Sequence, residues 1–162
     1  MRWLQAALPT FAIVAFSGFT AAVLSSAGDT LGYDYQAYVG AARRILDGSP
    51  MYDRTIAVAG GFAVFLYPPP FAFALIPFAL LPLDAGLLAW EAMVILAFVT
   101  GVAILPVSRS VRWTILLLAA LDWPVLYAIK LGQVGPILFL SFAAGWRWLD
   151  CDGRVGVSIA VG

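Results

Sequence analysis

Long apolar runs alternate along this chain with short charged or turn-forming segments. Residues 3–28 carry no charge, and Arg2 precedes them. A helix needs roughly 20 mostly apolar residues to cross a bilayer, so Trp3–Ala27 is read as a first span, with Pro9 near its start. A cleavable signal peptide competes with this reading: Arg2 makes a short basic region and Ser25-Ser26-Ala27 a small-residue cleavage site. The apolar stretch is longer than the usual signal core of roughly 7–15 residues, which favours a span. Further spans are expected at Asp84–Leu105, Trp113–Leu131 and Val134–Leu149. Val155–Gly162 is apolar but too short to cross, and reads as the start of another span. The chain is thus expected to be the N-terminal part of a longer one.

Pro68–Leu83 does not fit that series. Pro68, Pro69, Pro70, Pro77 and Pro82 interrupt it, and helix interiors tolerate proline poorly. It is expected to lie at the outer membrane surface or to dip in, as a helix over about 68–82. Residues 28–83 then form one long outer loop. Near its start, Tyr35, Tyr38, Val39, Ala42, Ile45 and Leu46 recur at helical spacing, with Gln36, Arg43 and Asp47 opposite. This predicts an amphipathic surface helix over 34–46. Gly48 followed by Pro50 supplies the stop. Tyr52, Phe65 and Tyr67 suit interfacial anchoring.

Composition narrows the class. Hydrophobic residues make up 63% of the chain and charged residues 11%, with a mean hydropathy of +0.96. Soluble domains average about 45–50% apolar and about 25% charged. The fold class expected is therefore all-α, polytopic and membrane-embedded. Nine Lys+Arg balance nine Asp+Glu, which argues against nucleic acid as a partner. With no histidine and one cysteine, Cys151, the chain offers no His-based catalytic set, no internal disulfide and no metal-ligand cluster. No metal and no cofactor are expected. A cytoplasmic N-terminus places Arg2, Arg109, Arg112, Arg147 and Arg154 inside, leaving Arg43, Arg44, Arg54 and Lys130 outside.

The remaining polar residues each carry two readings. Asp34 opens the predicted surface helix, as an N-cap or as a catalytic carboxylate at the membrane surface; Asp29 is the fallback. Arg43 and Arg44 belong to a solvated face or recognise phosphate, which guanidinium geometry suits. Asp84 stands at a helix start, where the dipole favours a negative charge. Glu91 and Asp122 lie deeper, and charges inside a membrane are often functional. Asp122 marks a kinked helix lining a cavity, or bonds to backbone freed by Pro124. Lys130 snorkels to the surface or meets a lipid phosphate. Gln133 is a turn residue or part of a cavity, as Tyr38 could be.

An ordered series of short motifs resembles the GT-C membrane glycosyltransferases, and more closely glycosyltransferase family 87. Asp34-Tyr35-Gln36-Ala37-Tyr38, followed by Ala41-Ala42-Arg43-Arg44-Ile45-Leu46-Asp47-Gly48-Ser49-Pro50-Met51-Tyr52, resembles that family's "D-x-x-x-Y … A-x-x-x-L-x-G-x-x-x-Y" run. Tyr67-Pro68-Pro69-Pro70-Phe71, with Ile76-Pro77 and Leu81-Pro82 beyond, is similar to its "Y-P-P … P-L-A-L-L-P". Trp90 falls where the family often has a tryptophan, and Leu131-Gly132-Gln133-Val134 resembles its "L-G-Q-V-N", with Gly135 in the last place. The resemblance implies a GT-C fold with two surface helices in the first outer loop. It also implies a multi-pass enzyme of the plasma membrane that moves a hexose, mannose by this likeness, with inversion. The donor implied is a polyprenyl-phosphate sugar, and the acceptor a glycolipid or polysaccharide. Asp34 would be the general base, and Arg43, Arg44 or Lys130 would meet the donor phosphate. A transporter or flippase using Glu91 and Asp122 is the competing class.

Overall fold

The computed structural model describes residues 2–53, 55, 57–58, 61–62 and 64–151. The apolar segment expected to start a span at 155 lies outside them. The chain is an all-α membrane protein. Its helices are α1 (Arg2–Ser25), α2 (Tyr33–Leu46), α3 (Pro69–Ala74), α4 (Ile76–Ala79), α5 (Leu83–Ile104), α6 (Arg109–Leu121), α7 (Trp123–Lys130) and α8 (Gly135–Cys151). A small antiparallel ribbon pairs Ala57 with Phe62 and Val58 with Gly61.

α1 and α5 are each long and apolar enough to cross a membrane. At about 1.5 Å per residue, the 22 residues of α5 reach across a hydrocarbon core of about 30 Å. Large apolar side chains stand on the outside of the bundle, among them Phe11, Leu88, Leu96, Leu118 and Phe142. That arrangement would aggregate in water and is the stable one in lipid.

Two stretches read as single helices are broken. The first is the expected span 113–131, which is α6 and α7 meeting at 73°. Asp122 is the break, with φ −91° and ψ 105°. Pro124 follows it and has no amide to continue the α6 ladder. It sits instead in the first turn of α7, where the missing donor costs nothing. The second is the stretch 68–82, which divides at Leu75 into α3 and α4, again with a proline, Pro77, in the first turn of the new helix.

α1 packs on α6, and α5 on α8. The second contact needs a small residue. A Cβ on Gly101 would stand 2.7 Å from the Phe139 ring and 3.4 Å from Leu140 Cα. Membrane helices, lacking a hydrophobic driving force between them, use such close approaches for packing. The chain also has two defined ends. Bonds from Gly32, Asp34 and Tyr35 to Lys130 and Leu131 bring the start of α2 and the α7–α8 turn to one end. At the other end, Arg112 Nη1 donates to Ala103 O at 2.8 Å and Arg147 Nη1 to Ile104 O at 3.4 Å.

Gly101→Val is expected to cost about 1–3 kcal/mol through overpacking against α8, with Gly101→Ala between it and wild type. Thermal unfolding in detergent checks this; an unchanged melting temperature for the valine variant would show that α5 and α8 do not meet at Gly101.

Candidate active site

The start of α2 is fastened to the end of α7. Gly32 has φ +63°, a left-handed conformation that glycine adopts without strain, and a Cβ there would run into Leu87. The turn points the first amides of α2 at the carboxyl end of α7. Gly32 N donates to Lys130 O at 2.9 Å, and Asp34 N and Tyr35 N donate to Leu131 O at 2.9 and 3.4 Å. The open amides of one helix thereby satisfy the open carbonyls of another, with the two macrodipoles head to tail.

This arrangement corrects the capping reading of Asp34. α2 begins at Tyr33, Gly32 is its N-cap, and no side chain caps it. Because the carbonyls of α7 take the first amides, the Asp34 carboxyl is left for another role. It is half-buried and has no ion-pair partner among the described residues. Burial raises it above the ordinary carboxylate value, and the neighbouring Gln133 side chain opposes that rise.

Gln133 is held in place from α5. Trp90 Nε1 donates to Gly132 O at 2.7 Å in a buried contact. Gly132 has φ +67°, and a Cβ there would lie 3.1 Å from both Trp90 Nε1 and Glu91 Oε1. Glu91 is 6% exposed, and neither carboxylate oxygen has a hydrogen-bond partner among the described residues. Trp90 and Gly132 are thus the supports of the site. Each lies inside a motif of the sequence, yet its role there depends on a contact across 42 positions.

Tyr38, one turn beyond Asp34, is 2% exposed. Its hydroxyl donates to Tyr67 Oη at 3.1 Å, and the rings of Tyr67, Phe71 and Trp90 surround it edge-on. Burial, then the Tyr67 hydroxyl and the nearby Asp34 carboxyl, push its phenol above the ordinary range.

The basic candidates separate. Arg43 and Arg44 sit about 14 Å along α2 from Asp34 and are engaged within the chain. Arg43 donates to Ala79 O and Leu81 O, both at 3.4 Å. Arg44 donates to Pro50 O at 3.2 Å and forms an ion pair with Asp53 at 2.6 Å. Hydrogen bonds from Thr55, then from Arg44, hold the Asp53 carboxyl at about 2. Lys130 shares the Asp34 junction through its own carbonyl. Its ammonium stands 5.6 Å from the Tyr127 ring centroid, with no carboxylate partner among the described residues. Asp29 lies exposed in a 3₁₀ turn, Gly28–Thr30. Asp122 is exposed at the α6–α7 bend and borders an apolar cavity of about 500 Å³ with Phe98, Leu118 and Phe139.

Residues 65–162 match the family model for glycosyltransferase family 87. The matched stretch includes Tyr67, Trp90, Lys130, Gly132 and Gln133, and starts after α2. No curated protein and no solved structure matches the chain.

Gly132→Ala is expected to cost roughly 1–3 kcal/mol, from an alanine forced to positive φ against Trp90. Trp90→Phe, which removes the donor and keeps a ring, is expected to cost about 1 kcal/mol. Melting temperatures check both; two neutral variants would mean that α5 does not support the turn. Asp34 behaves in the opposite sense. Its folded-state carboxyl is raised, so the folded chain holds this proton more tightly than the unfolded chain. Its contribution to stability therefore declines as pH climbs from about 4, the unfolded carboxylate value, through the raised value. Asp34→Asn removes that decline. Its melting temperature at pH 7 is expected to equal or exceed that of wild type, and a drop of several degrees would contradict the burial argument.

Proposed function

Because the chain belongs to glycosyltransferase family 87, we propose that it moves a hexose, mannose in the first instance, from a polyprenyl-phosphate donor to a glycolipid or polysaccharide acceptor at the outer face of the plasma membrane, with its N-terminus in the cytoplasm. The observation that carries the site assignment is the α2–α7 junction. It leaves Asp34 half-buried beside Gln133, free of any cation partner among the described residues, at the helix start that enters the outer loop.

In this mechanism Asp34 takes the proton of an acceptor hydroxyl as its oxygen attacks the anomeric carbon. The bond between that carbon and the phosphate oxygen breaks, the centre inverts, and polyprenyl phosphate departs. A raised carboxyl value brings Asp34 nearer to working pH, where a general base is most effective. Negative charge grows on the leaving phosphate, and Lys130 is the cation available to meet it. Arg43 and Arg44 hold the outer loop through carbonyls and Asp53 instead. A lipid donor fits the architecture, since its tail stays in the bilayer while its phosphate reaches residues at the surface. Asp29, in its exposed turn, remains the fallback base.

A second reading has one observation in its favour: Glu91 is buried with both oxygens unpartnered, as a proton-coupled transporter or flippase would use. On that reading uptake follows Glu91 and Asp122 and is indifferent to Asp34.

Asp34→Asn is expected to lower glycosyl transfer by about 10²–10⁴-fold while the protein still inserts and binds donor. Transfer at near wild-type rate would remove Asp34 as the base. Lys130→Gln is expected to weaken donor use by roughly ten-fold, the value of a charge-assisted hydrogen bond, whereas Arg43→Gln and Arg44→Gln leave the donor KM unchanged. The reverse pattern would move the phosphate site to the far end of α2.

A further inference from the structure

The end of the bundle away from Asp34 holds a second polar–apolar site. A cavity of about 250 Å³ opens between the last turns of α5 and the first of α6, lined by Val99, Val102, Ala103, Leu116, Arg109, Arg112 and Trp113. Its apolar part comes from four aliphatic side chains, its polar part from two guanidinium groups. No carboxylate lines it, and neither arginine is ion-paired among the described residues.

The arginines are not equivalent. Arg112 is built into the fold: Nε donates to Val107 O at 3.2 Å and Nη1 to Ala103 O at 2.8 Å, closing the carboxyl end of α5. Nη2 has no acceptor among the described residues. Arg109, exposed in the first turn of α6, makes no hydrogen bond among the described residues. Trp113 is half-buried, and its Nε1 also lacks an acceptor there. Arg147 at the same end donates to Ile104 O, and Asp150 lies near the end of α8.

Depth decides which anion this is. α5 spans about 33 Å, so its Ile104 end emerges at headgroup level, and the arginines follow within eight residues. A soluble phosphate would have no use for the aliphatic wall. A phospholipid has both parts, and basic pockets between membrane helices hold anionic headgroups. We infer that the α5–α6 cavity binds the phosphate of an anionic phospholipid, through Arg109, the free Nη2 of Arg112 and Trp113, with the start of an acyl chain against Val99, Val102 and Leu116.

The test uses the full chain reconstituted in nanodiscs of phosphatidylglycerol and phosphatidylcholine, with retained lipid read by native mass spectrometry. Phosphatidylglycerol is expected to be retained preferentially. Arg109→Gln, which breaks no bond among the described residues, is expected to cut that retention about five-fold, the ratio one basic side chain contributes near an anionic surface. Trp113→Phe, which removes the N–H and keeps an aromatic ring, is also expected to lower it. Equal retention of the two lipids, or retention unchanged in Arg109→Gln, overturns the inference. Displacement of the lipid by millimolar inorganic phosphate would also overturn it, by making the cavity a soluble-phosphate site. Asp34→Asn serves as the control and should leave lipid retention unaltered.

Discussion

The structure around the candidate site depends on one backbone interaction: the N-terminus of α2 bonded to the C-terminus of α7. Backbone groups near lipid have little water to turn to, and each one left open is costly. Helix ends concentrate such groups. Here two ends close each other, through Gly32 and Lys130 and through Asp34, Tyr35 and Leu131. The entry turn needs glycine for both conformation and space, because Gly32 has positive φ and faces Leu87. From this junction follow the direction of α2, the face that carries Tyr35 and Tyr38 onto α5, and the freedom of the Asp34 side chain.

α5 completes the frame from behind. Trp90 anchors the Gly132 carbonyl and carries the aromatic cluster of Tyr38, Phe71 and Phe78 on its other sides. One residue therefore connects the α7–α8 turn to α2, α3 and α4. A displacement at Trp90 would reach Gln133 through the turn and Tyr38 through ring packing, and Asp34 stands between those two.

The same economy governs the cations. Arg43, Arg112 and Arg147 give their donors to carbonyls near helix ends, and Arg44 to Pro50 and Asp53. In a chain with few charges, arginine serves first as a cap. Lys130 and Arg109 make no such bond among the described residues, and they stand at opposite ends of the bundle. Each is therefore available to an anion brought by the membrane, one on the proposed catalytic face and one at the α5–α6 cavity.

The elements set by one-dimensional patterning were legible in the residues. The apolar run read as 3–27 is the helix 2–25, the run 84–105 is 83–104, and the amphipathic stretch 34–46 is 33–46. Apolar length and helical periodicity are properties of consecutive positions, so the sequence by itself determined the membrane-embedded, helical class and the presence of an amphipathic helix bearing Asp34. The tertiary structure decided the rest. It split 113–131 at Asp122 and 68–82 at Leu75, where a proline's missing amide permits a break but does not set its angle. It replaced a side-chain cap on α2 with the carbonyls of α7, and it assigned Arg43 and Arg44 to partners in the chain while leaving Lys130 without a carboxylate partner among the described residues. Hydrogen-bond partners distant in sequence are chosen by packing, and no local pattern of residues encodes which distant carbonyl a given amide will meet.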